Sequence, residues 1–455
     1  MNNDKEMLGT APIGRLLFRL AVPTVIAQLV NMLYNVVDRI YIGHMPEVGD
    51  LALTGVGVCM PIIMLVSAFA ALVGSGGAPR ASIFLGKGDS DSAERTLGGC
   101  FTVQIVISVI LTAVLLVFNR ELLMAFGGSE NTIGYATSYM SVYALGTVFV
   151  QLTLGMNAFI TAQGFTKVSM VSVIVGAVTN IILDPIFIYG LDLGVVGAAV
   201  ATVCSQLFSC VFIIVFLCGK RAIIRLRVRN LLPLPRLILP ALALGTATFV
   251  MQASESVISV CFNSSLQRYG GDIAVGAMTI LTSVMQLALL PTQGIAQGAQ
   301  PILSYNYGSG NYDRVRRAYK ILLITCLTYS LTIWAAVMLL PGAFVRVFTP
   351  DAELASYASR VLRIYFGGML LFGIQIACQM TFVSLGNAAA SVAVAVVRKF
   401  VLLLPLIYIM PSLVSDKTLG VYLAEPIADL LAVSFTAILF SLQFKKAFGK
   451  KERQG

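Results

Sequence analysis

Five carboxylates sit where carboxylates are expensive. Asp38, Asp184, Glu255, Glu425 and Asp429 fall inside long apolar stretches, while most other acids lie in polar connections or tails. A charged side chain at the centre of a membrane helix costs roughly 2.5–3.5 kcal/mol or more, so such residues normally face a cavity and work on ions or substrates. Tyr34 and Asp38, Asn180 and Asp184, and Glu425 and Asp429 are each four residues apart, so each pair shares one helix face. At 1.5 Å per residue Asp38, Asp184 and Thr202 lie about 6, 9 and 12 Å below the same ends of their helices, and so can meet at one level. Two carboxylates, the Asn180 amide and the hydroxyls of Thr202 and Tyr34 form an all-oxygen site for a hard cation. A close carboxylate pair also holds a proton. The residue types leave Na⁺ and H⁺ both open, and Asp38 and Asp184 are metal ligands only for Na⁺. Glu255, about 10 Å deep in its helix, suits an organic cation through charge and cation–π contacts. Gln252, Gln375, Gln379, Glu425 and Asp429 are candidate linings of that same cavity, with helix–helix hydrogen bonding the competing role for the glutamines.

These residues need membrane helices to position them. The chain has 455 residues, 58% hydrophobic and 11% charged, against about 45–50% and 25% in soluble domains. A bilayer crossing takes about 20 helical residues. Twelve stretches qualify: 16–42, 51–74, 96–118, 135–162, 168–190, 194–218, 239–262, 273–297, 318–340, 354–385, 391–411 and 419–441. The expected fold is an all-α polytopic membrane protein with 12 transmembrane helices. Lys and Arg are biased to one side, with 22 in the connections and tails of that side and 4 on the other. That side is therefore cytoplasmic and carries both termini. The same bias explains the net charge of +10 without nucleic acid, since no basic-aromatic surface motif accompanies it. Met1 to Thr10 is polar and leads into a full-length helix, so no cleaved leader is expected. The eight cysteines form no CxxC pair and His44 is the single histidine, which leaves neither a metal hydrolase nor a disulfide framework.

The chain is also doubled. Displaced by 222 residues, Gly76 and Pro79 fall on Gly298 and Pro301, Gly86 and Gly88 on Gly308 and Gly310, and Tyr143, Gly146 and Gly164 on Tyr365, Gly368 and Gly386. Between positions 49 and 164 there are 19 identities in 116 ungapped places, clustered at helix ends and turns. With a shift of 217, Pro23 falls on Pro240 and Asp38 on Glu255. Parallel six-helix repeats are a transporter architecture. The expected organisation is an N-terminal bundle over 1–218, a basic, proline-bearing linker over 219–238, a C-terminal bundle over 239–444 and a basic cytoplasmic tail over 445–455.

The stretches Asn31 to Gly43, Asn180-Ile-Ile-Leu-Asp184-Pro185 and Gly194 to Thr202 resemble the multidrug and toxic compound extrusion (MATE) family. The likeness runs from about Arg15 to Phe444 and is greatest to the bacterial branch that includes the staphylococcal drug exporter. It implies two pseudo-symmetric six-helix bundles around a cleft, and multidrug efflux of organic cations against an inward Na⁺ or H⁺ flux by alternating access. It also implies an ion site at Asp38, Asn180, Asp184 and Thr202 with Tyr34 nearby, and it places the family's helix 7 acid at Glu255. Some members carry an acid in helix 10; here that region reads Gly373-Ile-Gln375-Ile-Ala-Cys-Gln379, which favours coupling in the first bundle. Pro23 is the expected hinge of helix 1. The partners so implied are small organic cations, the coupling ion and membrane lipid, for a monomer in the bacterial cytoplasmic membrane that is no enzyme and holds no cofactor. The rival reading is a flippase for lipid-linked precursors, whose cavity is cationic; Arg39, Arg360, Arg363, Arg398 and Lys399 lie in spans and keep it open.

Overall fold

In hydrocarbon no water satisfies a free N–H or C=O, so the backbone has to close its hydrogen bonds within each segment. The computed structural model, which describes residues 7–46 and 49–449, is accordingly helical, with no strand among the described residues. The crossing helices are numbered here in chain order: α1 Ile13–Gly43, α2 Gly49–Gly86, α3 Ser90–Val117, α4 the bent pair Ile133–Leu145 and Thr147–Ala162, α5 Thr166–Gly190 and α6 Gly194–Cys218. A 74-residue run, Pro235–Gly308, follows, then α9 Tyr312–Leu339, α10 Ala352–Ser384, α11 Ala388–Leu413 and α12 Lys417–Gly449.

The long run is two crossings, α7 (235–270) and α8 (272–308), because Gly271 breaks it with φ 64° and ψ −160°. Glycine alone takes this backbone without strain. Packing proves the reversal. Gly245 lies against Leu72 and Gly308 against Ile83, both on the last part of α2. A straight helix would separate Gly245 from Gly308 by about 95 Å, whereas Leu72 and Ile83 are about 16 Å apart. Counting α7 and α8 separately gives twelve crossings, matching the twelve apolar stretches one for one. α7 starts at Pro235, four residues earlier than its apolar stretch, since proline is well placed at the first helical turn.

The doubling has a conformational counterpart. Gly88 and Gly310 have φ 79° and 76°, and Gly164 and Gly386 have φ 87° and 72°. In each copy the first of these turns precedes a cap: Asp89 accepts from the Ser92 amide at 3.0 Å, and Asn311 from the Arg314 amide at 3.4 Å.

The core is not shared evenly between the two copies. Toward the ends of α1 and α7 that carry Asp38 and Phe262, one apolar cluster is drawn wholly from residues between Ile42 and Ala199, and another wholly from residues between Ile258 and Ala428. At the opposite end, Leu16 and Leu20 pack with Ala299 and Leu303, and Val73 and Phe159 with Ile238 and Ala241. Glycines make this closure tight, because a Cβ on Gly76 would overlap the Ala241 carbonyl and one on Gly298 the Ala21 backbone. The floor is marked by Gln28, which donates to Gln297 at 3.1 Å, and by Phe69 against Phe249 at 4.9 Å. A cleft therefore opens away from the chain ends.

The segment expected as a linker is bound to the first copy. Gln163 Oε1 accepts from the amides of Ile223 and Ile224 at 2.8 Å each, Glu94 pairs with Arg227 at 3.2 Å, and Thr102 donates to the Leu231 carbonyl at 2.6 Å. Lys450, Lys451 and Arg453 of the basic tail lie outside the described residues.

Gly245→Val is expected to destabilise the protein by about 1–3 kcal/mol through overpacking against Leu72. Gly57→Val, with nothing within 4 Å of the added carbon, leaves stability unchanged. Thermal unfolding of the two variants in detergent distinguishes them.

Candidate functional site

α1 and α5 pack together and bring two carboxylates into contact. Asp38 and Asp184 are within hydrogen-bonding reach of each other. Asp38 is 7% exposed, and Asn180 and Asp184 are 0% exposed, on the cleft side of the floor. The helical spacing expected of Asn180 and Asp184 is realised directly: the Asn180 amide donates to Asp184 Oδ1 at 3.3 Å. This leaves Asp38 Oδ1, Asp184 Oδ2 and Asn180 Oδ1 buried with no hydrogen-bond partner among the described residues. Buried polar atoms are almost always partnered. Three orphaned oxygens around a carboxylate pair form a donor set that fits a hard cation or a proton, and no basic side chain offsets their charge by an ion pair among the described residues.

Local backbone supports the site. After Asp184, Pro185 removes an amide and the helix widens into a π turn over Ile186–Gly190. Gly197 of α6 packs on that turn, where a Cβ would stand 2.6 Å from the Phe187 carbonyl. Tyr189 donates to the Tyr41 carbonyl at 2.6 Å, which ties the end of α5 to α1. Tyr34 is half-buried and lies beside both acids. Thr202 is drawn in through a residue not singled out above: Tyr139, which neighbours both Thr202 and Asp38. Tyr139 and Tyr143 stack at 6.4 Å. Their spacing of four along α4 was the available signal. Pro23 lies within a continuous α1, and the neighbouring Thr24 hydroxyl donates to the Gly294 carbonyl of α8 at 2.6 Å.

The acids of the second copy have a different environment. Arg398 Nε pairs with Asp429 at 2.9 Å and its Nη2 with Glu425 at 3.5 Å, and Lys399 Nζ pairs with Glu255 at 2.6 Å. Arg398 also stacks over Phe372 at 4.6 Å. Of the six residues expected to line a substrate cavity, Gln252 and Glu255 are exposed, and four are not. Glu425 and Asp429 are buried in the Arg398 pair, and Gln375 is buried with Oε1 unpartnered. Gln379 donates to the Ser391 hydroxyl at 2.9 Å, the helix–helix role. Buried carboxylates and glutamines move to interhelical partners because lipid offers none.

The MatE family pattern matches residues 23–186 and 247–409, one stretch in each copy. The multidrug export protein MepA of Staphylococcus haemolyticus is 24% identical over 433 residues, covering 95% of this chain and 94% of its own length. A crystal structure of MATE in the bent conformation superposes with a TM-score of 0.92 at 23% identity, covering 99% of each chain. The outward-facing conformation of a multidrug resistance MATE family transporter of the MOP superfamily superposes at 0.89, also with 23% identity, over 97% of this chain and 98% of that one.

Removing Arg398 strands two buried carboxylates, so Arg398→Ala is expected to cost about 3–5 kcal/mol of stability. Asp38→Asn and Asp184→Asn relieve unpaired charge and leave the unfolding temperature equal to or above wild type. Unfolding of the three variants in detergent without added Na⁺ checks this contrast.

Proposed function

The chain belongs to the MatE family, and from that premise we propose that it is a multidrug exporter of the bacterial cytoplasmic membrane, exchanging organic cations for Na⁺ or H⁺ by alternating access. The observation that carries the reading is the carboxylate pair Asp38 and Asp184, buried beside a cleft with three oxygens left unpartnered. The export of multiple drugs is taken from the staphylococcal relatives, and the cytoplasmic placing of both termini from the Lys and Arg bias. On this topology the cleft opens to the outside.

The first copy carries the coupling ion and the second the substrate. Asp38, Asp184 and Asn180 hold the ion or proton, with Thr202 and Tyr34 at its edge. Its arrival neutralises the pair, changes the packing of α1 on α5 and favours the inward-closed arrangement over the outward-closed one. Pro23 leaves the Arg19 carbonyl without an intrahelical donor, which gives α1 a point at which to bend. The organic cation enters over Gln252 and Glu255, the two cavity residues exposed on the cleft. Antiport follows only if ion and substrate prefer opposite arrangements of the two bundles, 1–218 and 239–444, since a ligand with equal affinity for both states shifts nothing. No bond is made or broken in the cargo. The flippase reading needs free cations for phosphate; of the five that raise it, Arg398 and Lys399 are committed to carboxylates, while Arg39, Arg360 and Arg363 are exposed.

In proteoliposomes, a fluorescent organic cation is expected to move when either a Na⁺ or a pH gradient is imposed, and the effective gradient names the ion. Asp38→Asn and Asp184→Asn each abolish the gradient-driven part while equilibrium binding of the cation persists. Transport of no cation under any gradient, or full coupled transport in Asp38→Asn, refutes the proposal.

A further inference from the structure

The second-copy cluster does not balance. Glu255, Glu425 and Asp429 meet Arg398 and Lys399, three negative charges against two positive. Four of these side chains are 9% exposed or less, and Glu255 alone is accessible, at 52%. Arg398 and Lys399 are consecutive, and both lie in a π-helical stretch, Val397–Leu403. Neighbours in a regular helix diverge by about 100°. Here Arg398 reaches α12 while Lys399 reaches α7, and π turns recur where function needs such displaced side chains.

The two cations are held differently. Arg398 is fixed by its fork, its 2.9 Å bond to Asp429 and its stacking on Phe372. Lys399 is a point charge on a flexible stem, and it follows directly on the Arg398 that contacts Glu425. Glu425 is the least tightly held acid, sharing Arg398 at 3.5 Å.

We propose that Lys399 is a tethered counter-ion: it holds Glu255 in the absence of substrate, and passes to Glu425 when an organic cation takes its place. The proposal rests on the organic-cation reading above. Two cations on one carboxylate repel, and an ammonium left unpaired at 4% exposure carries the penalty of a buried lone charge. The transfer avoids both. Afterwards Arg398 holds Asp429, Lys399 holds Glu425 and the substrate holds Glu255, three charges against three. One monovalent cation completes the cluster; a neutral compound leaves it one charge short, and a dication leaves it one over. Lys399 is thus a specificity-determining residue, counting substrate charge as well as occupying the substrate's place.

The test is equilibrium binding of tetraphenylphosphonium, a monocation, and methyl viologen, a dication, to the purified full chain. Wild type is expected to favour the monocation. Lys399→Met, confirmed as folded by its unfolding transition, leaves a net charge of −2 and shifts the preference toward the dication by roughly tenfold or more. Lys399→Gln does the same while keeping a polar side chain. Glu425→Gln, though away from the cleft, weakens the monocation by roughly tenfold because Lys399 has nowhere to go. Unchanged mono-to-dication ratios in Lys399→Met and Lys399→Gln, with binding still lost in Glu255→Gln, overturn the counter-ion and keep the organic-cation reading. Failure of wild type to bind or transport either cation overturns that reading itself.

Discussion

A polar group in hydrocarbon must find its partner inside the protein, and nearly everything in this molecule follows from that constraint. It forces the backbone into helices and restricts breaks to places with a local remedy. Gly271 turns the chain between α7 and α8, and the π turn after Pro185 closes on α6. It also sorts the side chains. Gln379 has gone to Ser391, Glu425 and Asp429 to Arg398, and Glu255 to Lys399. Against that background the oxygens of Asp38, Asn180 and Asp184 stand out, since they are the acidic site whose bonding is incomplete.

The same constraint is met differently in the two halves. Both copies place an acid near the same depth of their first helix, Asp38 and Glu255, but among the described residues only Glu255 is held in an ion pair. A cluster of interleaved ion pairs, even one that is a single charge short of balance, is held by its partners; a carboxylate pair without an ion pair is not. The duplication therefore yields two acidic sites of different make-up, a carboxylate pair in the first copy and an ion-paired cluster in the second. Closure at the far end is supplied by backbone contact, with glycines of α2 and α8 letting helices from different halves touch.

Much of this is legible in the sequence, and for physical reasons. Twelve apolar stretches announce twelve crossings because bilayer thickness fixes helix length. The Asn180–Asp184 bond follows from spacing, and the level of Asp38 from its distance to the helix end. Gly88 with Gly310, and Gly164 with Gly386, mark turns whose left-handed backbone favours the residue type. Long-range pairing is not legible. Glu255 and Lys399 are 144 residues apart, and no local rule says that the two cations of α11 face inward onto different helices. Nor is depth alone enough to tell exposed from packed, which is why three of six cavity candidates are buried and a fourth, Gln379, is half-buried against Ser391. Tyr139 was missed because its hydroxyl gains meaning only beside Thr202 and Asp38.

The connection between the halves has a mechanical meaning. Gln163, Glu94 and Thr102 fasten it down from Ile223 to Leu231, and the first turns of α7 continue along α2 as far as the Gly245–Leu72 contact. A strap fixed along its length does not act as slack rope. On the alternating-access reading proposed above, the fulcrum would lie at the glycine contact, where two backbones meet with no side chain between them. Glu255 is ten residues farther along the lever, about 15 Å away, so a tilt of about 10° carries its carboxylate roughly 3 Å. That displacement is the size of one ion pair, enough to exchange one partner for another.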